Sequence, residues 1–73
     1  MQPDQETPAA ANLVWRKTPE GNLRLETRTG QVRGIVWTQR SEGEFKFRVG
    51  GYFAGSATVA EAQARALAKA SAL

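Results

Sequence analysis

Apolar and polar residues alternate along most of the chain from Leu13 to Ala54, and after Thr58 the spacing becomes helical. Leu13-Val14-Trp15-Arg16 is short, β-branched and aromatic, as strands are. It runs into Pro19-Glu20-Gly21-Asn22, whose fixed φ and tolerance of positive φ suit a turn. From Asn22 to Thr29 the pattern is that of a half-buried strand, with Leu23, Leu25 and Thr27 on one side and Arg24, Glu26 and Arg28 on the other.

Gly30-Gln31 supplies the next turn, and Val32 to Arg40 is rich in Val, Ile, Trp and Thr. Its facing is open. One parity buries Val32 and Val36 and exposes Arg33, Ile35 and Trp37, the other does the reverse, and a bulge at Gly34 would let both Ile35 and Val36 find cover. Ser41-Glu42-Gly43 turns the chain again. Phe45, Phe47 and Val49 then alternate with Lys46 and Arg48, so two rings point one way and two cations the other. Gly50-Gly51 permits a tight hairpin that returns Tyr52-Phe53-Ala54 as a short final strand.

Thr58 followed by Glu61 reads as a capping box, in which the hydroxyl accepts from the Glu61 amide and the carboxylate from the Thr58 amide. The spacing predicts a helix from there to the C-terminus. Its buried face is Val59, Ala62, Ala66, Ala70 and Leu73, and Glu61, Arg65 and Lys69 form a polar row. A face of methyl groups lets a helix lie close to a sheet, so Trp15, Leu23, Leu25, Phe45, Phe47 and Val49 must supply the bulk of the core. The predicted fold class is α+β: an antiparallel β-meander of four to five strands followed by one C-terminal α-helix packed on one sheet face. Residues 12–73 form this single ββββ(β)α domain. Met1 to Ala11, rich in Pro, Gln and Ala without an apolar period, is expected to be a disordered tail.

Composition narrows the functional classes. Seventy-three residues hold one thin core and leave no room for a catalytic lobe, so function must sit on the surface. There is no Cys and no His, which removes imidazole bases, thiol nucleophiles and the usual zinc ligands. Neither an enzyme nor a cofactor, metal or small-molecule substrate is expected. No hydrophobic stretch reaches signal-peptide or membrane-spanning length, so the expected setting is cytoplasmic with no membrane partner.

Ten Lys and Arg against seven Asp and Glu give a net charge of +3, a mild bias toward anionic partners. Most of the cations fall between Asn12 and Gly50, in the strand region. With a helix over the Phe45 and Phe47 face, Lys46 and Arg48 lie on the opposite face, and Arg24 and Arg28 can join them. Such cations can neutralise phosphates or reach guanine edges. Trp37 reads either as core, the bland fate of a large ring, or as an outward stacking platform. Glu42 and Glu44 read as a solvated turn, and Gly55 to Thr58 as a loop rather than an anion cradle.

Three stretches carry a family likeness: Arg33-Gly34-Ile35-Val36-Trp37, Gly43 through Val49, and Gly55 through Ala62 opening the helix. Through them, Val32 to Ser71 resembles AP2-type and phage-integrase arm-binding domains, which place a three-stranded sheet in DNA and back it with one helix. The resemblance implies a phage or mobile-element origin, DNA in preference to RNA, and groove-facing roles for Arg33, Lys46 and Arg48. Phe45 to Leu73 is also similar to the second half of a double-stranded RNA-binding domain, with Thr58-Val59-Ala60-Glu61 where that family carries lysines. The candidate nucleic-acid-binding residues are therefore Arg24, Arg28, Arg33, Trp37, Lys46 and Arg48. The competing expectation is a protein-interaction module, such as a small inhibitor or accessory protein or a homodimer, whose thin core and sheet edges are completed by a second chain.

Overall fold

A computed structural model describes residues 6–72. In chain order the elements are β1 (Glu6–Ala10), β2 (Leu13–Lys17), β3 (Leu23–Thr27), β4 (Val32–Val36), β5 (Phe45–Val49), β6 (Tyr52–Ser56) and α1 (Val59–Ser71). Every strand runs antiparallel to its sequence neighbour, and the sheet order is β1-β2-β3-β4-β5-β6. The meander and the C-terminal helix match the sequence reading, but among the described residues the strands number six rather than four to five.

The additional strand is β1, drawn from the segment read as a disordered tail. Its sequence Glu-Thr-Pro-Ala-Ala has little strand propensity, and the edge of β2 supplies the order. Pro8 is tolerated because β1 is itself an edge strand, and the pairing is irregular between Pro8 and Ala10. Ala9 packs against the core, and Glu6 meets Arg16 at 2.8 Å. The remainder of the expected tail, residues 1–5, lies outside the described residues.

Two of the connections are the same device. In Thr18-Pro19-Glu20-Gly21-Asn22 and Thr27-Arg28-Thr29-Gly30-Gln31, the first Thr amide donates to the fifth residue's carbonyl at 2.8 Å. The glycine amide returns to the Thr carbonyl at 2.9 Å, and the Thr hydroxyl accepts from the fifth amide at 3.0 Å. Gly21 and Gly30 sit at φ of +92° and +95°, where a side chain would be strained.

The β4–β5 connection closes on reciprocal backbone bonds between Ser41 and Glu44, with Glu42 at φ +56° and Gly43 at φ +81°. Glu42 is the one described non-glycine residue in the left-handed region, and such a pair of central residues favours Asn-Gly. Glu42→Asn is expected to stabilise the fold by about 0.5–1 kcal/mol, read as a higher urea midpoint at unchanged slope. A lower midpoint would mean that the exposed Glu42–Lys46 ion pair outweighs the backbone term.

The register lays two apolar rows across the helix side of the sheet. Trp15, Leu25, Gly34 and Val49 form one, and Leu23, Val36, Phe47 and Ala54 the other. Leu25, Val36 and Phe47 are fully buried, each contributing about 1.5–3 kcal/mol of burial. Gly34 adjoins the bulge rather than hosting it: the shift falls between its pairing with Leu25 and that of Val32 with Glu26. A Cβ at Gly34 would lie 2.9 Å from Val49 Cγ2 and 3.0 Å from the Arg48 carbonyl, so glycine is needed for β4 and β5 to approach. The bulge leaves Val32 exposed although Val36 is buried, a combination that neither simple parity allows.

The helix packs over β4, β5 and β6 through Ala62, Ala66 and Ala70, with Val59 and Leu67 at the margins. Leu73, expected on the same face, lies outside the described residues. The Thr58 hydroxyl accepts from the Glu61 amide at 3.1 Å, while the Glu61 carboxylate accepts from Ala57, at 3.3 Å, in place of the Thr58 amide. Glu61 in the first turn and Lys69 in the last both complement the helix dipole. Arg65 ties the helix to β6 with 2.8 Å bonds to the Gly55 carbonyl and the Ser56 hydroxyl, and its guanidinium lies over the Phe47 ring.

Candidate functional site

Because α1 covers one face, the other face of the sheet is where side chains can meet a partner. Alternation and register place Arg16, Arg24, Ile35, Arg48 and Phe53 in one row across that face, from β2 to β6. Beside it, the Trp37 amide donates to the Lys46 carbonyl at 3.0 Å, extending the ladder one step past Val36. Trp37 therefore points away from the helix, next to Lys46. It is half-buried, but it does not belong to the helix-side core.

Of the residues singled out from sequence, Arg24, Trp37, Lys46 and Arg48 come together on this face. Arg28 and Arg33 do not. Arg28 sits in the β3–β4 turn, where its Nε donates to the Ala11 carbonyl at 3.1 Å. Arg33 is the residue the bulge leaves unpaired, and it lines a depression with Leu13, Thr27, Ala70 and Ser71, residues of the helix side and of the helix itself.

The charges on the open face are organised by acids. Glu26 is only 4% exposed, although it sits on the outer side of β3. One of its carboxylate oxygens accepts from Arg16 Nε at 3.0 Å and the other from Arg24 Nε, so it bridges two cations. Arg16 also reaches Glu6. Among the described residues Arg24 is held through Nε alone, so its two terminal nitrogens can donate outward. Val14, buried beside Glu26 and apart from the helix-side cluster, makes this end of the face closed rather than open.

At the opposite end, Lys46 Nζ stands 3.5 Å from both Glu42 and Glu44, which are exposed and so only weakly neutralising. Among the described residues Arg48 has no ion-pair partner and is exposed. Phe53, 59% exposed, lies directly across from it. The Trp37 and Phe53 rings meet edge to face at 6.1 Å between centroids. They wall a cleft of about 620 Å³ whose other sides include Asn22, Gln39, Ser41 and Lys46.

Phe53, Asn22 and Arg16 were not among the expected site residues. A signal for Phe53 was present: a two-residue Gly50-Gly51 turn pairs Val49 with Tyr52, which puts Phe53 beside Arg48 on the cationic face. The Gly55–Thr58 loop is no anion cradle, since a Cβ at Gly55 would collide with the Glu44 carboxylate, the wrong charge for the task. Among the described residues no group of His, Cys, Asp or Glu is arranged to hold a metal, and no helix is long and apolar enough to cross a membrane.

Fold and site thus define a small antiparallel-sheet protein with one helix-covered face and one cation- and ring-bearing face. No family model, curated protein or solved structure matches the chain.

Proposed function

We propose that the chain is a nucleic-acid-binding module that grips phosphates with the open face of its sheet. The observation that carries this reading is the cross-strand row in which Arg24 and Arg48 flank Ile35, with Lys46 alongside. Adjacent strands lie about 4.8 Å apart, so three cations fall within reach of neighbouring phosphates. Arg24 is already oriented by Glu26, and among the described residues Arg48 has no acid to displace. Both conditions lower the cost of engaging an anion.

The double charge reversal Lys46→Glu with Arg48→Glu is expected to weaken binding at least tenfold at low salt. The wild type should lose affinity steeply between low and moderate salt, and the variant's log–log salt slope should be shallower by about 1.5. Fluorescence anisotropy with labelled DNA measures both quantities. An affinity that ignores the reversal would sink the proposal.

A second reading, in which a protein or a second copy is the partner, is favoured by one observation. Among the described residues β1 and β6 are paired on one side only, and such edges can accept another strand. The solution mass, measured over a range of concentrations, tests the homodimer form directly.

A further inference from the structure

Phosphate neutralisation needs cations only, and it leaves the two aromatic rings of the open face without a task. Phe53 is more than half exposed, although a Thr or Arg there would suit an outward edge-strand position better. Trp37 meets it at an interplanar angle of 64°, so the rings wall a notch instead of stacking on and hiding each other. Lys46 Nζ is 6.0 Å from the Phe53 centroid, and Arg48 is its cross-strand neighbour on the same face. A planar group entering the notch would arrive with cations beside it.

The polar lining suits the edge of a base. Asn22, which lines the cleft, accepts through Oδ1 from the Thr38 amide at 3.1 Å, so its amide group is fixed and its Nδ2 is the donor not used in that bond. Gln39 and Ser41 can donate or accept, and Glu20 adds an acceptor suited to an exocyclic amine. Nothing in this set is tied to one base.

We infer that the Trp37–Phe53 cleft receives an unpaired base, so that the ligand is single-stranded nucleic acid. The inference rests on the nucleic-acid reading above and narrows it. In a duplex the faces of the bases are covered by their neighbours and only edges and phosphates are presented. A ring that offers its face has a partner only when a base is free to leave the stack. The cation row from Arg48 to Arg24 then follows the backbone away from the cleft.

Three probes decide the matter at one salt concentration: oligo-deoxythymidine, oligouridine, and a duplex of comparable length, each followed by anisotropy. Both single strands are expected to bind at least tenfold more tightly than the duplex. Phe53→Ala is an exposed truncation whose folding circular dichroism can verify. It should weaken single-strand binding by about tenfold or more while leaving the salt slope unchanged, because a stacking contact is lost and no cation.

A duplex bound as tightly as either single strand, or a Phe53→Ala variant with wild-type affinity, would overturn the base-binding inference and leave phosphate binding standing. Absence of binding to all three probes at low salt would overturn both.

Discussion

Phe47→Ala is expected to remove a large part of the stability of this protein. Phe47 is fully buried at the centre of β5, paired with Val36 on one side and Ala54 on the other. It tilts against Tyr52 at 6.0 Å between centroids and lies under the Arg65 guanidinium at 5.1 Å. Truncating a buried Phe costs about 3–5 kcal/mol. At the usual stability per residue, a chain of this length has about 4–11 kcal/mol in total. The alanines of α1 are too short to refill the space. Urea denaturation should show a midpoint lowered by about 1 M or more for Phe47→Ala, with Phe47→Leu recovering more than half of the loss. An unshifted midpoint for Phe47→Ala would mean that the helix can settle onto the sheet, and would contradict the packing described.

Glu26→Gln is the second large effect, and it tests the outer face rather than the core. The wild-type carboxylate gives one oxygen to each of two arginines. Glutamine has one carbonyl oxygen, so one guanidinium loses its acceptor and meets an amide N–H instead. A hydrogen bond to a charged group is worth about 1.5–3 kcal/mol. Because Arg16 and Arg24 reach water and can rehydrate, the loss should fall at the lower end of that range, about 2 kcal/mol. A double-mutant cycle with Arg24→Met should give a coupling of about 1 kcal/mol. If the two substitutions simply add, the bridge contributes nothing to the fold.

Much of the fold was legible because the sheet obeys period two. Leu23, Leu25, Phe45, Phe47 and Val49, each read as inward, all join the helix-side core, and Ala62, Ala66 and Ala70 face them as the helical spacing requires. The strand β1 was hidden since its residues carry no apolar period, and it is ordered by backbone pairing with β2, a cause that composition does not record.

The candidate site was legible in its centre and not at its ends. Lys46 and Arg48 follow from the clearest alternation in the chain. Trp37 could not be placed because a bulge at Arg33, near the start of the strand, changes the parity of β4, and the same bulge separates Arg33 from the residues it was grouped with. Glu26 read as one more solvent-facing charge. Its burial depends on Arg16, Arg24 and Val14 from neighbouring positions closing around it, a tertiary fact.

The order of the meander also bears on how the chain reaches this structure. Each strand pairs with the one made just before it, so each hairpin can zip onto the last without a long loop closing first. Topologies dominated by such short-range closures fold fast for their class. The helix comes after all six described strands, however, and its alanine face supplies a third of the buried core cluster. Until α1 docks, the rows containing Leu25, Val36 and Phe47 face water on that side, so the rate-limiting barrier should lie in helix docking rather than in strand pairing. Substitutions at Ala62 or Ala66 would then slow refolding, while changes in β1 would chiefly speed unfolding.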